Sequence, residues 1–380
     1  MVKRVAILGS TGSVGVRALE VAAHLGLVVG GLAARSNRAA LREQIARFRP
    51  ARAALADIAE GDALAAEMNG SATILHKGPE GVQAVAAAAE SDIVLCAISG
   101  AAGLGPVLEA AGRGKRLALA NKEAMVMAGP ILLEVARKSG ADIVPVDSEH
   151  SAIFQALRSG ARGEVRRVFL TASGGPFKDT PRSEFDRITP GQALNHPTWN
   201  MGGKITVDSA TMFNKALEIV EAKWLFGLEP SQIEVIIHPQ SIIHSMVEFV
   251  DGAVIAQMGV PDMRMPIQFA FTCPDRAAGN VKALNLAEVR SLTFEAPDLE
   301  KFPSLRLGYR AAEAGGTMGA VLNAANEVAV DLFMKRRIAF PRIFDIVREI
   351  MDRHTVVAHP KLDDVLRADA WAREEARWKS

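Results

Sequence analysis

Cysteine is almost absent: only Cys96 and Cys273 occur in 380 residues. Two thiols cannot supply a disulfide framework or a cysteine-based zinc site, so neither device holds this chain together. A dominant charge sign is lacking too, with 44 Lys and Arg against 43 Asp and Glu. The resulting formal net charge of +1 speaks against a nucleic-acid surface and against a polybasic membrane patch. No apolar run approaches the ~20 residues that a membrane span needs. The opening Met1-Val2-Lys3-Arg4 runs at once into Val5-Ala6-Ile7-Leu8 and a glycine turn, too short a stretch for a signal peptide. Internal repeats and low-complexity segments are also missing. These absences predict a cytoplasmic globular protein without nucleic-acid or membrane partners.

What is present is an ordinary soluble composition, 49% hydrophobic and 23% charged, in a chain too long for one ordinary core. Up to residue 147, short apolar runs alternate with Ala-rich helical stretches. VAILG (5–9), LVVGGLA (27–33), AALAD (53–57), ATIL (72–75), DIVLCA (92–97), RLALA (116–120) and DIVPV (142–146) read as strands of successive βα units. That alternation makes a largely parallel sheet, so the fold class is α/β with an N-terminal Rossmann-like domain, residues 1–147. Residues 148–275 read as a central α+β catalytic domain with a mixed or antiparallel sheet. Within it, IHSMVEFV (243–250) and AVIAQMG (253–259) flank Asp251-Gly252, a two-residue hairpin signal. A Pro- and charge-punctuated connector, 276–303, leads to a helical C-terminal domain, 304–380.

GSTGSVG (9–15) follows the first strand and opens the first helix. In that context a glycine turn presents bare backbone N–H groups and a helix N-terminus to a pyrophosphate, which favours dinucleotide binding over a plain tight turn. The end of the second strand indicates which dinucleotide. An NAD site wants an acid there for the ribose 2′-hydroxyl, but this chain has Ala34-Arg35-Ser36-Asn37-Arg38. Arg35 can face a 2′-phosphate, with Ser36 and Asn37 as hydrogen-bond donors, so NADPH is expected.

Three other stretches carry chemistry. Asp147-Ser148-Glu149-His150 stands where an apolar strand hands over to a helix; it is either a solvated helix cap or the floor of a catalytic site. LTASGGPF (170–177) ends a strand with Ser173-Gly174-Gly175, which suits donors to a phosphate. HPTWNMGGKITVDSATMFNKALEIVEAKWLFG (196–227) combines a lid-like stretch, residues 196–203, with a helix expected to start at Asp208-Ser209. On that helix Asn214, Lys215 and Glu218 share a face. His238 and His244, six apart, are expected to be structural and not a metal pair. Cys96, inside a strand, reads as a small buried hydrophobe.

GSTGSVG, ALANKEAMV (118–126), PVDSEHSAIFQAL (145–157), LTASGGPF, HPTWNMGGKITVDSATMFNKALE, HPQSIIHSMVEF and LNAANEVAV (322–330), in this order, closely resemble the 1-deoxy-D-xylulose 5-phosphate reductoisomerase family over essentially the whole chain. The resemblance implies conversion of 1-deoxy-D-xylulose 5-phosphate to 2-C-methyl-D-erythritol 4-phosphate in the non-mevalonate isoprenoid pathway, with NADPH and a divalent metal, Mg²⁺ or Mn²⁺, with Co²⁺ a third candidate. It implies Asp147, Glu149 and Glu218 as metal ligands, with Ser148 and Lys122 touching the substrate beside the metal. Lys122, Asp147, Glu149 and Glu218 would form the catalytic group. A phosphate cradle of Ser173, Ser209, Asn214 and Lys215 is implied, with His196 on the lid and Trp199 and Met201 covering the substrate. NADPH would touch Thr11, Gly12, Ser13, Val14, Arg35, Ser36, Asn37, Asn121, Glu123 and Gly202. Val14 stands where the family usually has Ile, and Arg35 where it often has Gly. A homodimer is the family's usual state.

Elementary geometry accommodates this assignment. If residues 147–149 stay extended, Asp147 and Glu149 point to one face and Ser148 away. With Glu218 they would make an all-oxygen site suited to a hard cation. Two rivals are another NADP-dependent dehydrogenase of a small phosphorylated substrate, which needs no converging carboxylates, and a non-catalytic NADP-binding regulator, which needs neither carboxylates nor lid.

Overall fold

A computed structural model describes every residue except Met1, Val2, Asn69, Pro197, Thr198, Asn200, Met201 and Ser380. The described residues group into two compact units. The first comprises Met1–Ala124, Leu132–Ser151 and Asp262–Lys282, and the second Met125–Ile131, Ala152–Pro261 and Ala283–Ser380.

The first unit is built on seven strands: β1 Arg4–Leu8, β2 Val28–Ala34, β3 Arg52–Leu55, β4 Ile74–Lys77, β5 Ile93–Cys96, β6 Arg116–Leu119 and β7 Ile143–Pro145. All pair in parallel, in the order β4-β3-β2-β1-β5-β6-β7. Each of the seven expected strands is present. The central ones are apolar along their whole length because crossover helices cover parallel sheets on both faces, and β5 is buried at every position. The helices of these crossovers are α1 Ser13–His24, α2 Arg38–Phe48, α3 Ile58–Glu67, α4 Gly78–Ala87, α5 Leu104–Gly112 and α6 Lys122–Ser139. Strand order reverses direction between β1 and β5, and in open α/β sheets the crevice outside the strand C-termini at such a point is where ligands bind. The GSTGSVG turn follows β1 at that place.

The helix α7, Ser148–Ala156, follows β7 directly. The second unit then carries strands β8 Val165–Ala172, β9 Ile233–Ile237, β10 Ile243–Phe249 and β11 Val254–Met258, in the order β11-β10-β8-β9. β8 and β9 are parallel while β10 is antiparallel to both its neighbours, so the expected mixed sheet is present. The hairpin between β10 and β11 is longer than a two-residue turn. Phe249 donates its N–H to Ala253 and Gly252 adopts φ 86°, which makes a three-residue loop with glycine in the left-handed position.

Between those strands lie α8 Pro190–Ala193, α9 Gly203–Ala210 and α10 Phe213–Phe226. After them come α11 Arg264–Thr272, α12 Leu286–Val289, α13 Ser304–Ala314, α14 Met318–Met334, α15 Arg342–Arg353 and α16 Leu362–Arg377. The C-terminal region is helical as expected. α15 shows why: Ile343, Phe344, Ile346, Val347, Ile350 and Met351 recur at helical spacing and all are buried. α14 buries residues on every side, so it forms the centre of that core. Phe340 packs edge-on against Phe177, Phe185, Phe333 and Phe344 within the same core. α11 belongs to the first unit, where it lies on α1 and its Arg264 reaches Asp262 and Glu20. No helix among the described residues is long and apolar enough to cross a membrane.

Candidate active site

The glycine turn does what its spacing requires. Gly9 has φ 85°, and a Cβ there would lie 2.5 Å from the carbonyl oxygen of Ala97 at the end of β5. A Cβ on Gly15 would come within 2.2 Å of Gly9 O, so only glycine lets α1 settle on the turn that precedes it. Gly12 sits at the N-cap of α1 without any side-chain cap, which leaves the first-turn N–H groups of Ser13 and Val14 to an anion. At the end of β2, Arg35, Ser36 and Asn37 are exposed. Asn37 also caps α2 by accepting from Ala40 N at 3.2 Å. Arg38 is engaged with Glu60 and Glu67, whereas Arg35 forms no ion pair among the described residues.

β6 and β7 are neighbours, with Leu119 beside Pro145, so the residues just past their ends come together. Past β6, Asn121 caps α6 by accepting from Ala124 N at 2.9 Å. Its amide donates to Ile98 O, Gly100 O and Glu123 Oε2, a buried knot that fixes the loop. Lys122 then opens α6, where the helix dipole disfavours a cation. The residue is 5% exposed, and its ammonium bonds the carboxylate of Asp147, which lies just past β7. Burial works against the charge of Asp147, but Lys122 and then His150 outweigh it and hold the carboxyl far below the usual carboxylate range. His150, which sequence reasoning left without a role, is fully buried with Nδ1 3.7 Å from Asp147 Oδ2. Its place directly after Glu149 was the available signal.

Residues 147–149 are not extended. α7 begins at Ser148, and Ser151 N donates to Asp147 O, so Asp147 occupies the cap position and Glu149 the first turn. Asp147 and Glu149 therefore do not share a strand face, and Ser148 does not point away. The Ser148 hydroxyl donates to Glu149 Oε2 at 2.5 Å. The buried apolar residues of α7, Ile153 and Ala156, lie beyond this junction, and the bond from Ser151 N to Asp147 O is what starts the helix at Ser148.

In the second unit the helix bearing Asn214 does not start at Asp208-Ser209. Those residues close α9; Met212 takes φ 59°, and α10 begins at Phe213. The shared face of α10 is real. Glu218, fully buried, accepts from Asn214 Nδ2 at 2.5 Å and from Lys215 Nζ at 2.6 Å. Lys215 is itself only 3% exposed. A solvated pair of this spacing contributes ~0.2–0.5 kcal/mol, but this pair is desolvated, and removing either member leaves an uncompensated buried charge.

Ser173, half-buried, stands at the end of β8. Gly174 and Gly175 both have positive φ, and a Cβ on Gly175 would lie 2.6 Å from Ser209 O, so the two glycines bring the Ser173 and Ser209 segments together. His196 Nδ1 accepts from Trp199 N at 2.9 Å, leaving Nε2 to donate to Ser173 Oγ at 3.1 Å. Gly175 N also donates to Ser173 Oγ, at 3.3 Å. With both lone pairs engaged, the Ser173 hydroxyl proton is left to donate to an anion. Ser173, Gly175, Lys178, Gln192, Asn195 and Pro239 line a cavity of about 560 Å³; the polar side chains of Lys178, Gln192 and Asn195 are additions to the expected set. Gly202 is exposed, and Met201 lies outside the described residues.

His238 is structural: Nδ1 donates to Thr293 O at 2.8 Å, and Nε2 accepts from Ile242 N and Ile243 N. Burial pushes the Cys96 thiol up to about 12, which makes it inert.

Three family descriptions match successive parts of the chain. Residues 5–129 match 1-deoxy-D-xylulose 5-phosphate reductoisomerase, residues 143–226 the 1-deoxy-D-xylulose 5-phosphate reductoisomerase C-terminal domain, and residues 258–375 the DXP reductoisomerase C-terminal domain. A 1-deoxy-D-xylulose 5-phosphate reductoisomerase of Pelotomaculum thermopropionicum is 49% identical over 374 residues, covering 98% of this chain and 97% of the relative. The enzyme of Zymomonas mobilis, solved in complex with NADPH, is 40% identical with a TM-score of 0.92, over 99% of this chain and 98% of that one. A DOX-P reductoisomerase in complex with NADPH, fosmidomycin and magnesium is 38% identical with a TM-score of 0.95, over 100% of this chain and 98% of that one.

Burial lowers the pKa of His196 below its ordinary 6.5. A depressed histidine contributes stability that is present above that value and lost as pH falls through the folded pKa. Protonation adds a hydrogen to Nδ1 and breaks the bond from Trp199. We therefore expect Trp199 fluorescence, isolated by subtraction of a Trp199→Phe variant from the emission of Trp224, Trp371 and Trp378, to change in a titration from about pH 8 to about pH 5. The midpoint should fall below 6.5, and a flat profile would rule out this anchor.

Proposed function

Since the chain belongs to the 1-deoxy-D-xylulose 5-phosphate reductoisomerase family, we propose that it converts 1-deoxy-D-xylulose 5-phosphate to 2-C-methyl-D-erythritol 4-phosphate, and that its residues divide the work as follows. The observation that carries this reading is the pairing of desolvated carboxylates with lysines, Asp147 with Lys122 and Glu218 with Lys215. A dehydrogenase doing simple hydride transfer has no need of three converging carboxylates. Asp147, Glu149 and Glu218 hold one divalent cation. The donor set fits a hard ion: it is all carboxylate, and two of its anions, Asp147 and Glu218, already attract cationic partners. When bound, Mg²⁺ or Mn²⁺ supplies Lewis acidity to the substrate's ketone and neighbouring hydroxyl oxygens.

Lys122, held at the mouth of α6 by Asp147, places positive charge where an oxyanion develops. Ser148 steadies Glu149 and offers its oxygen to the substrate. Ser173, Ser209, Asn214 and Lys215 bind the phosphate, the first through the hydroxyl proton that His196 and Gly175 leave available. Trp199 and Met201 cover the substrate and exclude water from it. NADPH supplies the hydride, with its pyrophosphate on Thr11, Gly12, Ser13 and Val14 and its 2′-phosphate on Arg35, Ser36 and Asn37. Gly202 and the Asn121–Glu123 knot complete the cofactor contacts.

We also propose a homodimer. β11 is an edge strand, and Val254 and Ile255 remain 47% and 37% exposed on it, which supports pairing with a second copy. Sedimentation should give a dimer, converted to monomer by combined Val254→Lys and Ile255→Lys; a wild-type monomer at micromolar concentration refutes it.

Incubation with 1-deoxy-D-xylulose 5-phosphate, NADPH and Mg²⁺ should consume the nicotinamide absorbance. EDTA should abolish the activity, and Mg²⁺ or Mn²⁺ should restore it. Glu218→Gln should weaken apparent metal affinity and lower kcat/KM by more than the ~10–100-fold typical of groups that merely support a ligand. Full turnover after exhaustive chelation contradicts the metal assignment.

Arg35→Asp replaces a charge-assisted contact of ~1.5–3 kcal/mol with repulsion. It should raise the NADPH KM by roughly 10-fold or more and narrow the gap to NADH. An unchanged NADPH/NADH preference places the discrimination elsewhere.

A further inference from the structure

Asp208 has no part in the roles above, although it immediately precedes Ser209. It lies near the end of α9, the eight-residue helix that leads from the 196–203 stretch to the phosphate-binding residues. Its side chain is 2% exposed, and Oδ2 lies 2.7 Å from Lys204 Nζ, one turn back. Its Oδ1 accepts a 2.8 Å hydrogen bond from Nδ2 of Asn326, which is fully buried in α14. The other end of that amide, Asn326 Oδ1, finds no hydrogen-bond partner among the described residues.

As a stability device this arrangement is poor. An unsatisfied buried acceptor is unfavourable, and a buried ion pair often contributes less than well-packed apolar side chains would. What it does supply is position. The carboxylate is held from two directions, by a cation in the first turn of its own helix and by an amide from another helix. The break after α9 is held as well: Ser304 Oγ donates to Thr211 O at 2.6 Å. Position matters here because Ser209 O crowds the Gly175 turn, which allows no Cβ between them. A displacement of α9 by a few tenths of an ångström would therefore change the separation of the Ser173 and Ser209 hydroxyls.

We infer that Asp208 and Asn326 are positioning residues through which α14 sets α9, and with it Ser209, for phosphate binding. The buried polar face of the LNAANEVAV segment thereby acquires a purpose. The inference rests on the assignment of Ser173, Ser209, Asn214 and Lys215 to the substrate phosphate.

The test compares inorganic phosphate and NADPH binding by calorimetry, and substrate KM against kcat, in the full chain. Asp208→Asn and Asn326→Leu should each weaken phosphate and raise KM roughly tenfold, the order expected for loss of one charge-assisted hydrogen bond, with NADPH affinity unchanged. The reciprocal swap, Asp208→Asn with Asn326→Asp, keeps a donor facing a carboxylate and should bring phosphate binding back to within roughly threefold of wild type. A merely structural pair would lower Tm but leave the phosphate-to-NADPH ratio alone, and that result overturns the inference. Should the single variants fail to fold, the swap decides: tenfold-weakened phosphate in a folded swap also overturns it. Ser209→Ala separates the two levels. If it leaves phosphate binding untouched, the phosphate assignment itself falls, and the positioning role falls with it.

Discussion

A carboxylate removed from water must be met by positive charge or by donors, and the chemistry of this chain is organised around that requirement. Asp147, Asp208 and Glu218 all have side chains 15% exposed or less, and each has a lysine within bonding distance. The lysines come from local geometry: Lys122 from the neighbouring strand end, Lys204 and Lys215 from one turn earlier on the same helix. Each carboxylate therefore faces a cation whose position the backbone dictates. Buried, pre-oriented carboxylate oxygens suit a hard cation, and desolvation strengthens the charges around them.

The same economy of backbone geometry shapes the two sites proposed for anionic ligands. At the end of β1, glycines at 9 and 15 remove side chains that would collide with Ala97 O and Gly9 O, and α1 thereby offers its bare N-terminus. At the end of β8, Gly174 and Gly175 do the equivalent for Ser173 by admitting the Ser209 backbone. Both are strand ends followed by backbone that only glycine accepts comfortably, and both leave hydrogen-bond donors without an acceptor among the described residues. The two phosphate sites proposed for this chain thus share one physical device.

Much of this was legible in the residues. The seven parallel strands, the mixed second sheet and the C-terminal helices follow from apolar periodicity, which burial enforces directly. Local misreadings arose where periodicity is silent. The step from β7 into α7 depends on where helical hydrogen bonding begins, and Asp147-Ser148-Glu149 has no apolar pattern to mark it. Likewise, Thr211-Met212 carries no glycine or proline to announce the break between α9 and α10; only Met212 in the left-handed region makes it. The hairpin at Asp251-Gly252 was visible, but its length depended on Gly252 taking the bulge position.

By itself the sequence determined the element types, the place of the glycine turn, the absence of an acid beside Arg35, and the shared face of Asn214, Lys215 and Glu218. These are consequences of spacing along a single segment, and spacing is what a sequence records. Tertiary structure alone decided that Lys122 meets Asp147, that Asn326 reaches Asp208 across 118 positions, and that Asp262–Lys282 returns to the first unit. Such pairings depend on strand order and helix packing, which many sequences of the same periodicity could satisfy differently. The polar side chains that select among them show their partners only once the apolar surfaces have closed.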